Sequence, residues 1–361
     1  MEYLSRKLGS LTADRNFKFH PRCSKLKITH LVFADDLLLF SRADLCSIMK
    51  ISACFQEFSL VSGLEANPEK CSVYFSGIED NLKYNLKYQI CDFLGFKEGV
   101  LPMKYLGLPL NTKRLSYLDC SSLIGKIQNQ FQFWQKNRKL SYAGKLEMIK
   151  SVILGIQTFW MSNYILPIKV LEKIDNLCSG FLWSQKIHLT SWGTICQGKE
   201  HGGLGIFAAR EWNYAAAAKL LWMVHLKKDL LWIHENYLKN QNIWIIQPRV
   251  NDSWMWKKLL KVRYILVSKF GNVEGMKNTI NGCCYIGKVL LSTMYRSLIQ
   301  PAPRVIWHNT VLDGFLYPKH SFTLWLTCHS RLLTKDRLCR MGILNTNLSN
   351  CMLCQWQQME T

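Results

Sequence analysis

Apolar positions dominate residues 28–40, I-T-H-L-V-F-A-D-D-L-L-L-F, and two adjacent aspartates break the run near its middle. The pattern predicts strands over 28–33 and 37–41, with Ala34-Asp35-Asp36 in the hairpin turn between them. Both strands are apolar enough to be expected inside the protein. Residues 1–27, upstream, read as short, basic and irregular. Downstream, Asp44 stands where an N-cap belongs, and Leu45, Ile48, Ile51, Phe55 and Phe58 recur at helical spacing. A helix is therefore expected to run to Ser62-Gly63 and to pack on the hairpin. Residues 71–75 read as a further strand.

From 116 to 183 the pattern turns strongly helical. Leu123, Ile127, Phe131 and Trp134 form one series, Leu146, Ile149, Ile153, Ile156 and Trp160 a second, and Leu171, Ile174, Cys178 and Phe181 a third. Lys126, Lys136, Arg138, Lys139, Lys145 and Lys150 accompany them, giving a basic bundle that carries aromatics. Gly202-Gly203-Leu204-Gly205 reads as a connector, because no Lys-Ser/Thr follows it and its glycine spacing fits neither nucleotide fingerprint. Residues 213–222, N-Y-A-A-A-A-K-L-L-W, predict a further helix. Residues 240–290 are aromatic and basic and carry no clear signal. Short strands followed by helices place the chain in the α+β class.

Ionised carboxylates inside an apolar run are costly unless they are paired, hydrogen-bonded or bound to metal. Mg²⁺ suits such a pair, since it accepts one or two carboxylates and completes its shell with water and substrate phosphates. The alternative is an aspartate-rich turn with both side chains in water. Charge narrows the partners. Lys plus Arg number 46 against 25 for Asp plus Glu, a formal net charge of +21 spread along 361 residues. Polyanions are the natural ligands. No apolar run reaches the roughly 18 residues of a spanning helix, so nucleic acid is preferred to a membrane. A hydrophobic share of 48% with 12% aromatics argues against a disordered chain. Fourteen cysteines behind an opening M-E-Y-L-S-R-K without a signal-peptide core predict reduced thiols in the nucleus or cytoplasm, and not a secreted disulfide framework. Most of them are expected to fill the core.

Phe33-Ala34-Asp35-Asp36 resembles the aromatic-Ala-Asp-Asp signature of reverse transcriptases, in the form found in plant LINE-type, non-LTR retrotransposons. Ser62-Gly63-Leu64, Asn67 and Lys70-Cys71-Ser72 resemble the family's next motif. Lys104-Tyr105-Leu106-Gly107-Leu108-Pro109-Leu110 resembles the hairpin that holds the primer end. Trp134, Leu140-Ser141, Ala143-Gly144-Lys145, Ile149 and Phe181-Leu182-Trp183 match its helical region. Trp307, Pro318-Lys319, Phe322, Trp325-Leu326, Leu332-Leu333-Thr334, Asp336-Arg337-Leu338 and Cys351-Met352-Leu353-Cys354 look like its zinc-binding segment.

The resemblance implies RNA-directed DNA polymerisation, with an RNA template, a DNA primer or RNA–DNA hybrid, and deoxynucleotides as partners. No obligate protein partner is implied. Asp35 and Asp36 would hold Mg²⁺, and Lys70 would protonate the departing pyrophosphate, although by itself it reads equally as an exposed loop cation. Tyr105 and Gly107 would lie at the primer, and Lys136, Arg138, Lys139 and Lys145 would track the duplex backbone. Cys351 and Cys354 would supply half a zinc shell, with Cys328 and His329 as substitute partners. The expected organisation is a partial palm over 1–112, a helical thumb over 113–200, a connector over 201–300 and a zinc-binding region over 301–361. The family's fingers and first catalytic aspartate have no visible counterpart, so the chain reads as an N-terminally truncated and inactive polymerase fragment, with Asp14 as the fallback ligand. The alternative is a non-catalytic basic module that binds nucleic acid.

Overall fold

The computed structural model describes residues 1–77, 80–137, 140–184, 187–227, 230–300, 302–312, 314 and 316–345. The fold is mixed α and β and mainly helical. It divides into two units, Met1–Arg114 with Met223–Trp254, and Leu115–Trp222 with Met255–Thr361. Residues 201–300, expected as a connector, are shared between the two.

The first unit begins with a helix where the sequence pattern predicts irregular chain. Helix α1 (Glu2–Ser10) needs only Leu4 and Leu8, one turn apart, to form its inward face, and both are fully buried. Strands β1 (His30–Phe33) and β2 (Asp36–Leu39) follow, then helix α2 (Leu45–Ser62). The Asp44 carboxylate accepts the Ser47 backbone N–H at 3.0 Å, and Gly63 ends the helix at φ 68°, a left-handed conformation that suits glycine. The buried stripe of α2 is Ser47, Ile51, Cys54 and Phe58. Leu45 and Ile48, expected inside, are only half-buried. Leu4, Leu8, Leu11 and Phe17 complete this core with Ile51, Cys54 and Phe58, and Leu37 of β2 packs at its margin. Helix α2 thus rests chiefly on the N-terminal segment, with the hairpin at the edge.

The strand expected over 71–75 shrinks to β3 (Ser72–Val73). After helix α3 (Asp80–Leu94), strand β4 (Lys97–Glu98) pairs with β3 in parallel. Strands β5 (Met103–Tyr105) and β6 (Leu108–Leu110) form a second antiparallel hairpin. Helix α10 (Leu231–Ile233) and a π turn at His234–Leu238 also belong to this unit.

The second unit contains helices α4 (Ser121–Asn137), α5 (Tyr142–Met148), α6 (Leu154–Asn163) and α7 (Ile168–Leu182), with a π-helical stretch at Ile149–Ile153 joining α5 to α6. The three predicted apolar series form its interior, except that Ile156 is only half-buried. Phe131 stacks on Phe181 with ring centroids 4.3 Å apart, tying α4 to α7. After α8 (Trp192–Ile195), the Gly202–Gly205 stretch is a packing point. A Cβ on Gly203 would lie 1.9 Å from the Gln197 carbonyl oxygen, so only glycine fits. The Gly202 carbonyl accepts the Trp325 indole N–H at 2.8 Å.

The predicted 213–222 helix lies within α9 (Ala209–His225), whose Ala215, Ala216, Ala217 and Ala218 are all buried. The fully buried Asn213 clasps the loop after α6, donating to the Tyr164 carbonyl and accepting the Leu166 N–H, each at 2.9 Å. Helices α11 (Trp254–Lys269) and α12 (Val273–Gly282) follow, then the short pair β7 (Cys284–Tyr285) and β8 (Lys288–Val289). Helices α13 (Leu291–Leu298), α14 (His308–Leu312), α15 (Pro318–Cys328) and α16 (Lys335–Arg340) complete the described chain. Among the described residues no helix is long and apolar enough to cross a membrane, and the described cysteines are free thiols.

Candidate active site and nucleic-acid interface

The aspartate pair sits on the first hairpin. Pairing runs His30 to Leu39, Leu31 to Leu38, Val32 to Leu37 and Phe33 to Asp36. The turn is therefore Ala34-Asp35, and Asp36 is already the first residue of β2. Ala34 adopts φ 54°, the left-handed region that an L side chain enters at a cost of about 1–2 kcal/mol. Sequence reasoning missed what anchors the hairpin. Ser5 Oγ of α1 lies 2.8 Å from His30 Nε2, and Thr29 Oγ1 lies 2.9 Å from His30 Nδ1. Burial lowers the His30 pKa and so favours the neutral ring at this position. Below the hairpin, Ser47 Oγ donates to Asp44 and accepts the Lys18 N–H, and Lys18 O accepts the Arg42 N–H. A threonine directly before a strand histidine was the only visible signal for this network.

The hairpin itself is not buried, contrary to the sequence expectation. Phe33 is 59% exposed and Leu31 51% exposed. The inward-facing positions are Thr29 and the half-buried His30 at the base, with Leu37 and Leu38 half-buried on β2. Asp35 and Asp36 are exposed and take no partner from the described residues. No third acidic, histidine or cysteine group joins them among the described residues. Asp14 is engaged elsewhere: it pairs with Lys50 and accepts the Asn16 N–H at 2.8 Å, and the Lys50 ammonium lowers its pKa. Two free carboxylates open to water suit Mg²⁺, which keeps much of its own hydration and tolerates one or two protein ligands.

Lys70 lies on an exposed turn organised by Asn67, whose side-chain oxygen accepts the Glu69 N–H at 2.9 Å and whose carbonyl accepts the Lys70 and Cys71 N–H groups. Its side chain points to no described acidic group. In the second hairpin Leu106 and Gly107 form the turn with φ 49° and 80°, both positive, as a tight right-twisted hairpin requires. Open space surrounds the Gly107 Cα, since an added Cβ would meet nothing within 4 Å. Tyr105 is half-buried opposite Leu108.

On α4 the outward face carries Lys126, Asn129, Phe133 and Lys136, all exposed, with Phe133 at 58%. Lys145 lies elsewhere. It is buried, its ammonium on Ser184 Oγ and over the Tyr142 and Phe181 rings at 5.7 and 5.6 Å, so it is held within the helical unit instead of facing a duplex. Arg138 and Lys139 lie outside the described residues, as do Cys351 and Cys354. Of the substitute zinc partners, Cys328 is exposed while His329 Nε2 lies 2.8 Å from the Gly202 carbonyl.

Residues 7–110, which contain both hairpins, match the reverse transcriptase (RNA-dependent DNA polymerase) family. Residues 290–361 match the family described as zinc-binding in reverse transcriptase. A protein of Arabidopsis thaliana named as a ribonuclease H protein is 28% identical over 164 residues, which cover 42% of this chain and 26% of that protein. The aligned part thus spans about a quarter of the curated relative. The stretch around the aspartate hairpin is thus similar to reverse transcriptases, and the C-terminal stretch to the zinc-binding region described for them.

Proposed function

We propose that the chain is part of an RNA-directed DNA polymerase of a plant LINE-type, non-LTR retroelement, and that it binds an RNA template with a DNA primer. The observation that carries this reading is the exposed, unpartnered Asp35–Asp36 pair at a hairpin turn inside the reverse transcriptase match. In it Asp35 and Asp36 hold Mg²⁺, Lys70 delivers a proton to the departing pyrophosphate, and the hairpin of Tyr105 and Gly107 supports the primer end. The outer face of α4, with Lys136 and the adjacent Arg138 and Lys139, follows the hybrid backbone by phosphate contacts. Asp35 and Asp36 would hold Mg²⁺, whose charge would activate a 3′ hydroxyl and neutralise the transferred phosphoryl group. Cys351 and Cys354 contribute two thiolates of a zinc shell, and the setting is the nucleus or cytoplasm.

Taken alone, the chain is proposed to bind without polymerising. A two-metal site needs carboxylates that bridge ions about 4 Å apart, and among the described residues none stands beside the hairpin pair. This joins the polymerase reading to the alternative of a non-catalytic binding module. The test is primer extension and hybrid binding by the full chain with Mg²⁺, beside Asp35→Asn. The expected result is salt-sensitive binding by both proteins and extension by neither. Extension that Asp35→Asn abolishes would overturn the proposed inactivity, extension that survives Asp35→Asn with Asp36→Asn would overturn the site, and absence of hybrid binding would overturn the nucleic-acid reading.

A further inference from the structure

Within the first unit, a cavity of about 310 Å³ opens between the turn after α1 and the 234–252 stretch. Three cations line it, Arg22, Lys239 and Arg249, against one carboxylate, Asp252. Asp252 Oδ2 is drawn to its own loop, where it accepts the Arg249 backbone N–H at 2.8 Å. The nearby Glu235 pairs with Lys25, so its charge does not offset the cavity. The lining offers no apolar slot for a base, since Tyr237 is buried and Val250 projects into solvent. Small-molecule sites are mostly apolar; this one has the composition of an anion site.

The cations are also arranged to receive a ligand. Arg22 donates from Nη1 to the Tyr237 hydroxyl at 3.5 Å and from Nη2 to the Asn251 carbonyl at 3.4 Å. Both bonds lie at the long limit, so the guanidinium is oriented while its remaining donors stay available. Asn236 Nδ2 fixes the Arg22 carbonyl at 3.1 Å, and the Tyr237 hydroxyl donates on to Ser253 at 2.8 Å. The side chains of Lys239 and Arg249 take no partner from the described residues. Lys239 and Asn240 both adopt left-handed φ, 47° and 69°, directly after the π turn. Two successive strained non-glycine residues are the kind of outlier that collects at ligand clamps.

We propose that Arg22, Lys239 and Arg249 form a phosphate site that takes one backbone phosphate of a bound RNA or DNA strand. This deepens the nucleic-acid reading above and rests on it. Phosphate contacts of this type position a strand without reading its bases, which agrees with a lining that has no base slot.

The test is binding of a labelled single-stranded RNA to the full chain across a salt series, with Arg249→Gln, Lys239→Gln and Arg249→Lys. Loss of one charged contact is expected to weaken binding about tenfold. The slope of log affinity against log salt should shrink by about 0.7. Arg249→Lys should recover most of both, and thermal melts should not move, because neither side chain serves the core. Glutamine variants that bind like the unaltered chain overturn the site alone, whereas an unaltered chain that binds no RNA overturns both this proposal and the nucleic-acid reading. Phosphorus NMR of pyrophosphate and dATP separates the phosphate sources. Broadening that Arg249→Gln removes, with RNA affinity unchanged, assigns the site to free phosphate esters and overturns the backbone assignment.

Discussion

Asp175 gives a pH-dependent prediction whose sign is opposite to that of most carboxylates. Its side chain lies on α7 and accepts the Ala209 N–H, the first of α9, at 3.0 and 3.3 Å from its two oxygens. Burial raises its pKa from 3.8 to about 6 even though the Ala209 bond works the other way. Between these values the folded chain keeps a proton that the unfolded chain has released. Stability from this group is therefore full below about pH 4, is lost as pH rises through about 6, and is flat beyond. The rise corresponds to roughly 3 kcal/mol at most. Asp175→Asn keeps an acceptor for Ala209 and removes the charge, so it should stabilise the chain at pH 7.5 by about 1–3 kcal/mol. The two proteins should converge near pH 4. Urea titrations at pH 4, 5, 6 and 7.5 measure this, and the difference between the proteins cancels the titration of every other group. Parallel stability curves across that range would refute the burial argument.

Two further outcomes follow from buried polar groups. Asn213→Ala leaves the Tyr164 carbonyl and the Leu166 N–H without their partner in the core, so it should destabilise by about 2–4 kcal/mol in urea titration; a loss below about 1 kcal/mol would show that water replaces the amide. Lys145→Met should leave the salt dependence of hybrid binding unchanged, because the ammonium is buried on Ser184 and two rings. Lys136→Gln should lower the salt slope by about 0.7–0.9, and equal effects at the two positions, measured by anisotropy, would contradict the inward placement of Lys145.

The features that the sequence made legible were those written in neighbouring residues. Asp44, Gly63 and the spacing between them mark α2 because capping is decided within one turn. The presence of a hairpin around Ala34-Asp35 was likewise local, although Asp36, expected in the turn, belongs to β2. The helical series of the second unit showed because a 3.6-residue period repeats over many turns. What depended on distant chain was missed. Lys145 looks like any helical cation until Phe181 and Ser184 arrive from the end of α7 and the residues after it. Helix α1 has too few apolar positions to announce itself and is fixed by the core of α2. The Asp14–Lys50 pair and the His30–Ser5 contact join residues 36 and 25 apart in the chain, and no motif encodes either.

The aspartate pair is exposed where the apolar run predicts burial. Charges inside an apolar run demand compensation, for which a metal ion would serve. With Phe33, Asp35 and Asp36 exposed, that demand disappears, because solvated carboxylates carry no desolvation penalty. Affinity for Mg²⁺ must then come from elsewhere. A hydrated ion gains little from two carboxylates in water, and gains much more once substrate phosphates join the shell and water is displaced. Metal and nucleic acid should therefore bind cooperatively at this hairpin. On the proposed reading, the net charge of +21 would draw a phosphate backbone from a distance, and the negative charge of Asp35 and Asp36 would repel it locally until a cation is present. On that same reading, strand binding at the tip should therefore require Mg²⁺, while binding at the basic face of α4 and the Arg22 cavity should not.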